Sequence, residues 1–457
     1  MKKPAILLSV ILLFIMAAFR VDKTSEDYIH IQPSVQRSGD SAKGYNYLVT
    51  GDFLRSGMPY GYFTLLRGKQ TINLLNRNGK NATVDYGYNV VAGRDSVDIV
   101  IPTCLQCHAQ VFDDQLIVGL GNNSMDFSNP PDPNKYLGAL KMLKMTAPKQ
   151  YDASKDFLRS MRIVTPLTIT KVRGVNPADG LAAVLAAHRD PVTLAWSDSA
   201  LLSLPPDIIP TDVPAWWLLK KKNAMFYTGL GRGDFARFLM LSNMLTVTDT
   251  MEARDVNNHF GDVLAYVLSL QPPKYPKPVN DKLAAKGKLI FNDHCSECHG
   301  TYGAGGSYPN LLIPGDVIQT DPTLFKANQQ NPQFADWFKK SWFAQPPYAA
   351  LIVPSEGYVA PPLDGVWVTA PYLHNGSVPT IEAVLNSKLR PTYWTRDFSH
   401  PTYDYEKLGW KYDTTDKSEG KKYYNTTLTG YGNYGHYFGD VLTDEERKAV
   451  IEYLKTL

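Results

Sequence analysis

Cys-Leu-Gln-Cys-His at Cys104–His108 and Cys-Ser-Glu-Cys-His at Cys295–His299 together hold all four cysteines of the chain. Two thiols one helical turn apart, followed at once by an imidazole, are what a protein needs to form two thioether bonds to porphyrin vinyl groups and to bind the iron. A zinc site would set its cysteine pairs about 15 to 20 residues apart and has no use for a histidine after each pair. A redox-active dithiol or a disulfide explains neither histidine. The pattern predicts two covalently bound haem c groups, one on Cys104, Cys107 and His108, the other on Cys295, Cys298 and His299, with His108 and His299 as iron ligands.

The second iron ligand decides between electron transfer and catalysis, and it comes from later in the chain. The last methionine is Met251, ahead of the second motif, so the second haem must look to His374, His400 or His436. His436, in "NYGHYFGDVLTDEE", lies on a glycine-containing loop just before the terminal helix and is the expected ligand; His374 more simply holds its "PYLHNGS" loop. The first haem has no histidine between His108 and His188. Met125, Met142, Met145, Met161 and Met225 are its candidates, although methionines at helical spacing usually pack in cores. An iron left open on that side could bind O2 or peroxide.

These groups need elements to hold them. "DKLAAKGKLIFNDHCSECHG" carries Leu283, Leu289, Ile290 and Phe291 along a helix into the second motif. The chain ends in "LTDEERKAVIEYLKTL", with Thr443 and Glu446 as a capping box and Val450, Ile451, Leu454 and Leu457 as one apolar face. "DSVDIVIPTCLQCHA" alternates like a strand before Cys104. A helix ending near Leu270 and the proline-rich "QPPKYPKP" make the expected boundary. The expected organisation is mainly α: two cytochrome c-like haem domains in tandem, at 96–272 and 280–457, with long loops and an N-terminal extension at 30–95. "VPAWWLLKKKNAMFYTG" (213–229) and "APPLDGVWVTAPYLHNG" (360–376) echo each other in Pro, aromatic and Gly positions.

Composition sets outer limits. With 44% apolar and 20% charged residues the chain is globular, and a net charge of +3 is too small to imply nucleic acid. "MKKPAILLSVILLFIMAAFR" places two lysines before an apolar run, the layout of an export signal or an uncleaved N-terminal membrane anchor over residues 1–25. No cysteine follows that could carry a lipid. The expected location is periplasmic or extracellular, where haem c proteins reside. Lys220–Lys222 reads as a solvated basic turn, with attraction of haem propionates or an acidic donor protein as the alternative. The glycines of "YGAGGSYPN" let backbone pass close to the haem edge.

The "APPLDGVWVTAPYLHNGSVPTIEAVL" segment, "GHYFGDVLTDEERKAVIEYLKTL" and the two haem motifs resemble the di-haem cytochrome c peroxidase and MauG superfamily. With "DVPAWWLLKKKNAMFYTGLGRGDFAR" included, the pattern over roughly residues 95–457 is most similar to its rubber-oxygenase branch. The resemblance implies a reactive N-terminal haem and a six-coordinate C-terminal relay haem, with His436 in the place of the relay ligand. It implies catalytic or bridging aromatic residues beside the haems, which match Trp216, Trp217, Phe226 and Tyr227; core packing is their plain alternative.

Peroxidases of that family use a glutamate to move peroxide's protons, yet no glutamate occurs between Asp27 and Met251. Asp113, Asp114, Asp126 or Asp234 would have to substitute, or O2 replaces peroxide as the small-molecule oxidant. The expected activity is a di-haem oxidoreductase served by a redox partner protein; the rival is an electron carrier with both irons six-coordinate. A calcium ion between the domains is a further cofactor candidate.

Overall fold

The computed structural model describes residues 28–94, 96–417 and 420–457; the proposed signal or anchor over 1–25 lies outside them. The architecture corrects the mainly α expectation. The chain is 40% helical and 13% strand, with several small sheets, a mixed α/β fold. The sheets have two or three strands each. They arise where apolar alternation runs too briefly for a helix. Asp98–Pro102, the strand before the first motif, pairs antiparallel with Tyr88–Ala92 and with Met58–Pro59. The chain leaves that motif through a hairpin, Ala109–Phe112 against Gln115–Val118.

Two helix pairs bracket the motifs. The helix Asp281–His294 packs on the terminal helix Asp444–Leu454, whose Thr443–Glu446 capping box is formed in both directions. At their crossing a Cβ on Gly287 would lie 1.8 Å from the Ala449 carbonyl oxygen, so only glycine lets the backbones touch. The second pair, Ser41–Thr50 on Thr250–Ser269, repeats the device: a Cβ on Gly44 would meet the Asp262 carbonyl oxygen at 1.9 Å. The segment expected as an extension therefore supplies a bracketing helix. Its Leu48 and Val49 share one core with Val256, Phe260 and Val263.

The internal echo is a structural repeat. Met225 bridges to Gly231 and Tyr372 to Val378, and positive φ falls at Phe226 and Gly229 in one loop and at Leu373 and Gly376 in the other, so all four positions correspond at one constant offset. The loops are also cross-linked reciprocally. The Asp212 amide donates to the His374 carbonyl at 2.8 Å, and the Val359 amide donates to the Tyr227 carbonyl at 2.7 Å. Asp212 and Val359 are themselves equivalent positions at that offset.

Candidate haem centres

The second motif is a single helical turn, Ser296–His299, continuing from the helix Asp281–His294. The His299 amide donates to the Cys295 carbonyl at 3.0 Å, which stacks the imidazole one turn above the first thiol. His299 Nδ1 donates to the Pro361 carbonyl at 2.8 Å. That bond fixes the tautomer and leaves the Nε2 lone pair free for a metal. His436 faces it, ring centroid to ring centroid at 6.1 Å. An imidazole nitrogen sits about 2.0–2.1 Å from a first-row metal ion, so two imidazoles on opposite sides of one ion have ring centres roughly 6 Å apart.

The loop that presents His436 is pinned. His436 adopts φ +49°, its amide donates to the Ile318 carbonyl at 2.8 Å, and the Arg390 guanidinium binds the carbonyls of Asn433, Gly435 and His436. At Gly435, φ +80°, a Cβ would lie 2.2 Å from the Gln319 backbone. Burial lowers the pKa of both rings, that of His436 to about 3, so both are neutral. His436 Nδ1 is buried without a hydrogen bond. Two neutral, convergent imidazoles beside Cys295 and Cys298 fit a haem with two histidine ligands. His374 instead accepts or donates at Nε2 with the Tyr358 hydroxyl at 3.0 Å and stacks on its ring. His400 is exposed beside Asp397.

The first motif is built on a strand rather than a long helix. Leu105, wholly buried, anchors the turn Leu105–His108, and the His108 amide donates to the Cys104 carbonyl at 2.9 Å. Its ring stacks on Trp216 at 4.5 Å. By the offset that relates the two loops, Pro214 corresponds to Pro361, yet His108 makes no bond like that of His299: its Nδ1 is buried and unpaired. Burial pushes the His108 imidazole down to about 3, so it too is a neutral donor. Cys104 and Cys107 are free thiols, and Cys107 Sγ accepts from Asn176 Nδ2.

These residues open on a cavity of about 1430 Å³ that Cys104, Cys107 and His108 line together with Trp216, Phe226 and Tyr227. Enclosed thiols, an orphaned imidazole and apolar walls fit a second porphyrin. Trp217 does not reach the cavity; it is wholly buried in the opposite core and donates to the Asp364 carbonyl. Met125, Met161 and Met225 are on the cavity wall, whereas Met142 and Met145 are exposed. Of the proposed acids, Asp113 bonds the Tyr405 hydroxyl, Asp114 occupies the same hairpin turn, and Asp234 caps the helix Phe235–Leu239 and pairs with Arg37. Asp126 lines the cavity but accepts from Ser128 and Asn129.

The sequence reading missed two titratable residues of the wall and took a third as part of a solvated basic turn. Asp212 accepts from the Tyr227 hydroxyl at 3.0 Å, and burial pushes its carboxyl up to about 8. Asp179 is pushed up to about 6 in the same way. Lys222 is the third. No local pattern marks the two aspartates, because tertiary enclosure creates their property. Among the described residues there is no cluster of three or more His, Cys, Asp or Glu that could hold a metal ion. Haem iron needs only one or two side chains. Among the same residues, no helix is long and apolar enough to cross a membrane.

Residues 357–395 match the family model described as RoxA-like, cytochrome c-like. The segment contains the Tyr358–His374 stack and one of the two repeated loops. It is a single cytochrome c-like match, so the tandem pair of such domains expected from sequence is not what the comparison finds. The chain is 29% identical to the uncharacterized protein y4iJ of Sinorhizobium fredii (strain NBRC 101917 / NGR234) across 41% of this chain and 41% of that protein. It thus spans about two fifths of that relative's length. It is 26% identical to the uncharacterized protein y4iM of the same strain across 67% of this chain and 77% of that one. The matched segment marks a haem-binding, cytochrome-type protein.

Proposed function

We propose that the protein is an exported oxidoreductase of the di-haem peroxidase and MauG type, nearest the rubber-oxygenase branch, which activates O2, or peroxide, at a haem on His108. The observation that carries this reading is an asymmetry. At one motif two imidazoles converge at 6.1 Å; at the other a lone imidazole faces a cavity of about 1430 Å³.

A bound haem supplies one-electron and O2 chemistry, with its potential set by axial ligand and surroundings. The chain does the rest. His299 and His436 would together hold one iron, an arrangement that suits outer-sphere electron transfer and leaves no place for an oxidant. His108 offers a single neutral nitrogen. The apolar wall excludes water, and the Asp212 carboxyl, kept protonated by burial, stores a proton beside the Tyr227 hydroxyl. Pockets for small organic ligands occupy roughly 300–1,000 Å³, so this cavity has room for a porphyrin and an apolar co-substrate.

Electron paramagnetic resonance of the oxidised protein tests the reading. One high-spin and one low-spin ferric signal are expected. Two low-spin signals would favour the rival carrier, for which Met125, Met161 and Met225 on the cavity wall supply ligands. Peroxide turnover measured beside O2-dependent cleavage of an isoprenoid then separates the two oxidants.

A further inference from the structure

Lys220, Lys221 and Lys222 look alike in sequence and are not alike in the fold. Lys220 Nζ donates to Gln271 Oε1 at 2.7 Å, and Lys221 Nζ pairs with both oxygens of Asp364 at 2.7 and 2.8 Å. Among the described residues Lys222 has no carboxylate partner. It is half-buried and lines the cavity of the first motif. The other basic residues of the lining, Arg67 and Lys326, are exposed.

Even a half-buried ammonium is costly to leave without a counter-charge, which is why enclosed cations are paired. Burial alone lowers the Lys222 pKa, to about 8, with no acidic residue opposing it. Asp179 and Asp212 line the same cavity, and neither forms an ion pair with Lys222 among the described residues. The position is nonetheless held firmly. Asn310 receives the Asn223 amide on Oδ1 at 2.6 Å and donates Nδ2 to the Lys221 carbonyl at 3.0 Å, clamping the backbone on either side of Lys222. Asn223 Nδ2 donates in turn to the Ile31 carbonyl at 2.7 Å. A cation on a backbone clamped at both sides, in an apolar cavity and without a carboxylate partner among the described residues, suits an anionic ligand.

We infer that Lys222 binds a propionate carboxylate of the haem attached at Cys104 and Cys107, with Asn310 as the residue that positions it. The inference rests on the two-haem reading above. A carboxylate brought by an external amphiphile has the same chemistry, and the test separates the two sources.

Holoprotein is first weighed to confirm one porphyrin per motif, and each haem's reduction midpoint is then followed by spectroelectrochemistry without added ligand. Removing a positive charge near an iron stabilises the ferric state. Lys222→Met is expected to shift the reduction equilibrium of one haem about tenfold toward ferric, which is 59 mV for a one-electron couple. Lys222→Arg stays near wild type, Asn310→Ala falls between, and the His299–His436 haem is unmoved. Lys222→Gln replaces Lys222→Met if the latter fails to accumulate. Unchanged midpoints in a protein carrying both haems would overturn the assignment alone. Midpoints that respond to Lys222→Met only after a long-chain fatty carboxylate is added would also overturn it, in favour of an external ligand. A chain with porphyrin on the second motif only would overturn both this inference and the two-haem reading.

Discussion

His299 and His436 face each other across 6.1 Å although 136 residues of chain numbering separate them. Their supports differ in kind: the Pro361 carbonyl orients His299 through Nδ1, while the Arg390 guanidinium and the Ile318 carbonyl hold the backbone of His436. One imidazole is set by its ring, the other by its loop. Substitution should therefore separate ligation from folding.

His436→Ala is expected to leave the fold intact and convert the low-spin ferric signal of that haem to high-spin. His436→Met should keep it low-spin and raise its midpoint, because a Met/His pair favours ferrous iron over two histidines. An unchanged low-spin signal in His436→Ala would remove His436 as a ligand.

Replacing Cys104 and Cys107 together by alanine should lower the mass by one porphyrin and leave the His299–His436 signal in place. Replacing Cys295 and Cys298 should do the converse. Loss of both porphyrins from either variant would show that the two attachments are interdependent.

Asp212 makes stability depend on pH in a defined sense. Its folded pKa is raised from 3.8 to about 8, so the folded state holds a proton that the unfolded state releases, and stability falls as pH rises from about 4 to about 8. Asp179, raised to about 6, adds to that slope only at the acid end. Thermal midpoints between about pH 6 and pH 8 should fall in the wild type and flatten in Asp212→Asn. Equal slopes would place the Asp212 carboxyl outside this role.

Gly44→Ala and Gly287→Ala should each destabilise by about 2 kcal/mol in denaturant titrations, because the added Cβ meets a backbone carbonyl at 1.9 or 1.8 Å. The sign is diagnostic. A helix-interior glycine with open space around it gains about 0.5–1 kcal/mol on the same change, so stabilisation would refute the close crossings.

Legibility in the sequence followed the range of the interaction. Cys104–His108, Cys295–His299 and the Thr443–Glu446 box are local patterns, and each reads directly from spacing. The lack of any methionine after Met251 narrowed the second ligand to three histidines, and the loop position before the terminal helix singled out His436. The small sheets were underestimated because strands such as Gly357–Val359 and Gly231–Gly233 have three residues each and owe their conformation to partners far away in the chain. Trp216 and Trp217 are adjacent and look equivalent, but the first stacks on His108 while the second turns into the opposite core. The enclosure of Asp212 and Lys222 has no local signature, because neither burial nor the absence of a partner is a property of neighbours in sequence.

The reciprocal bonds from Asp212 to His374 and from Val359 to Tyr227 resemble a handshake, each hand closed around the other's wrist. Cleavage of the peptide chain at the "QPPKYPKP" stretch would leave each fragment with an amide and a carbonyl lacking their mates. The two motif-bearing halves are thereby knitted into one folding unit rather than strung as two beads.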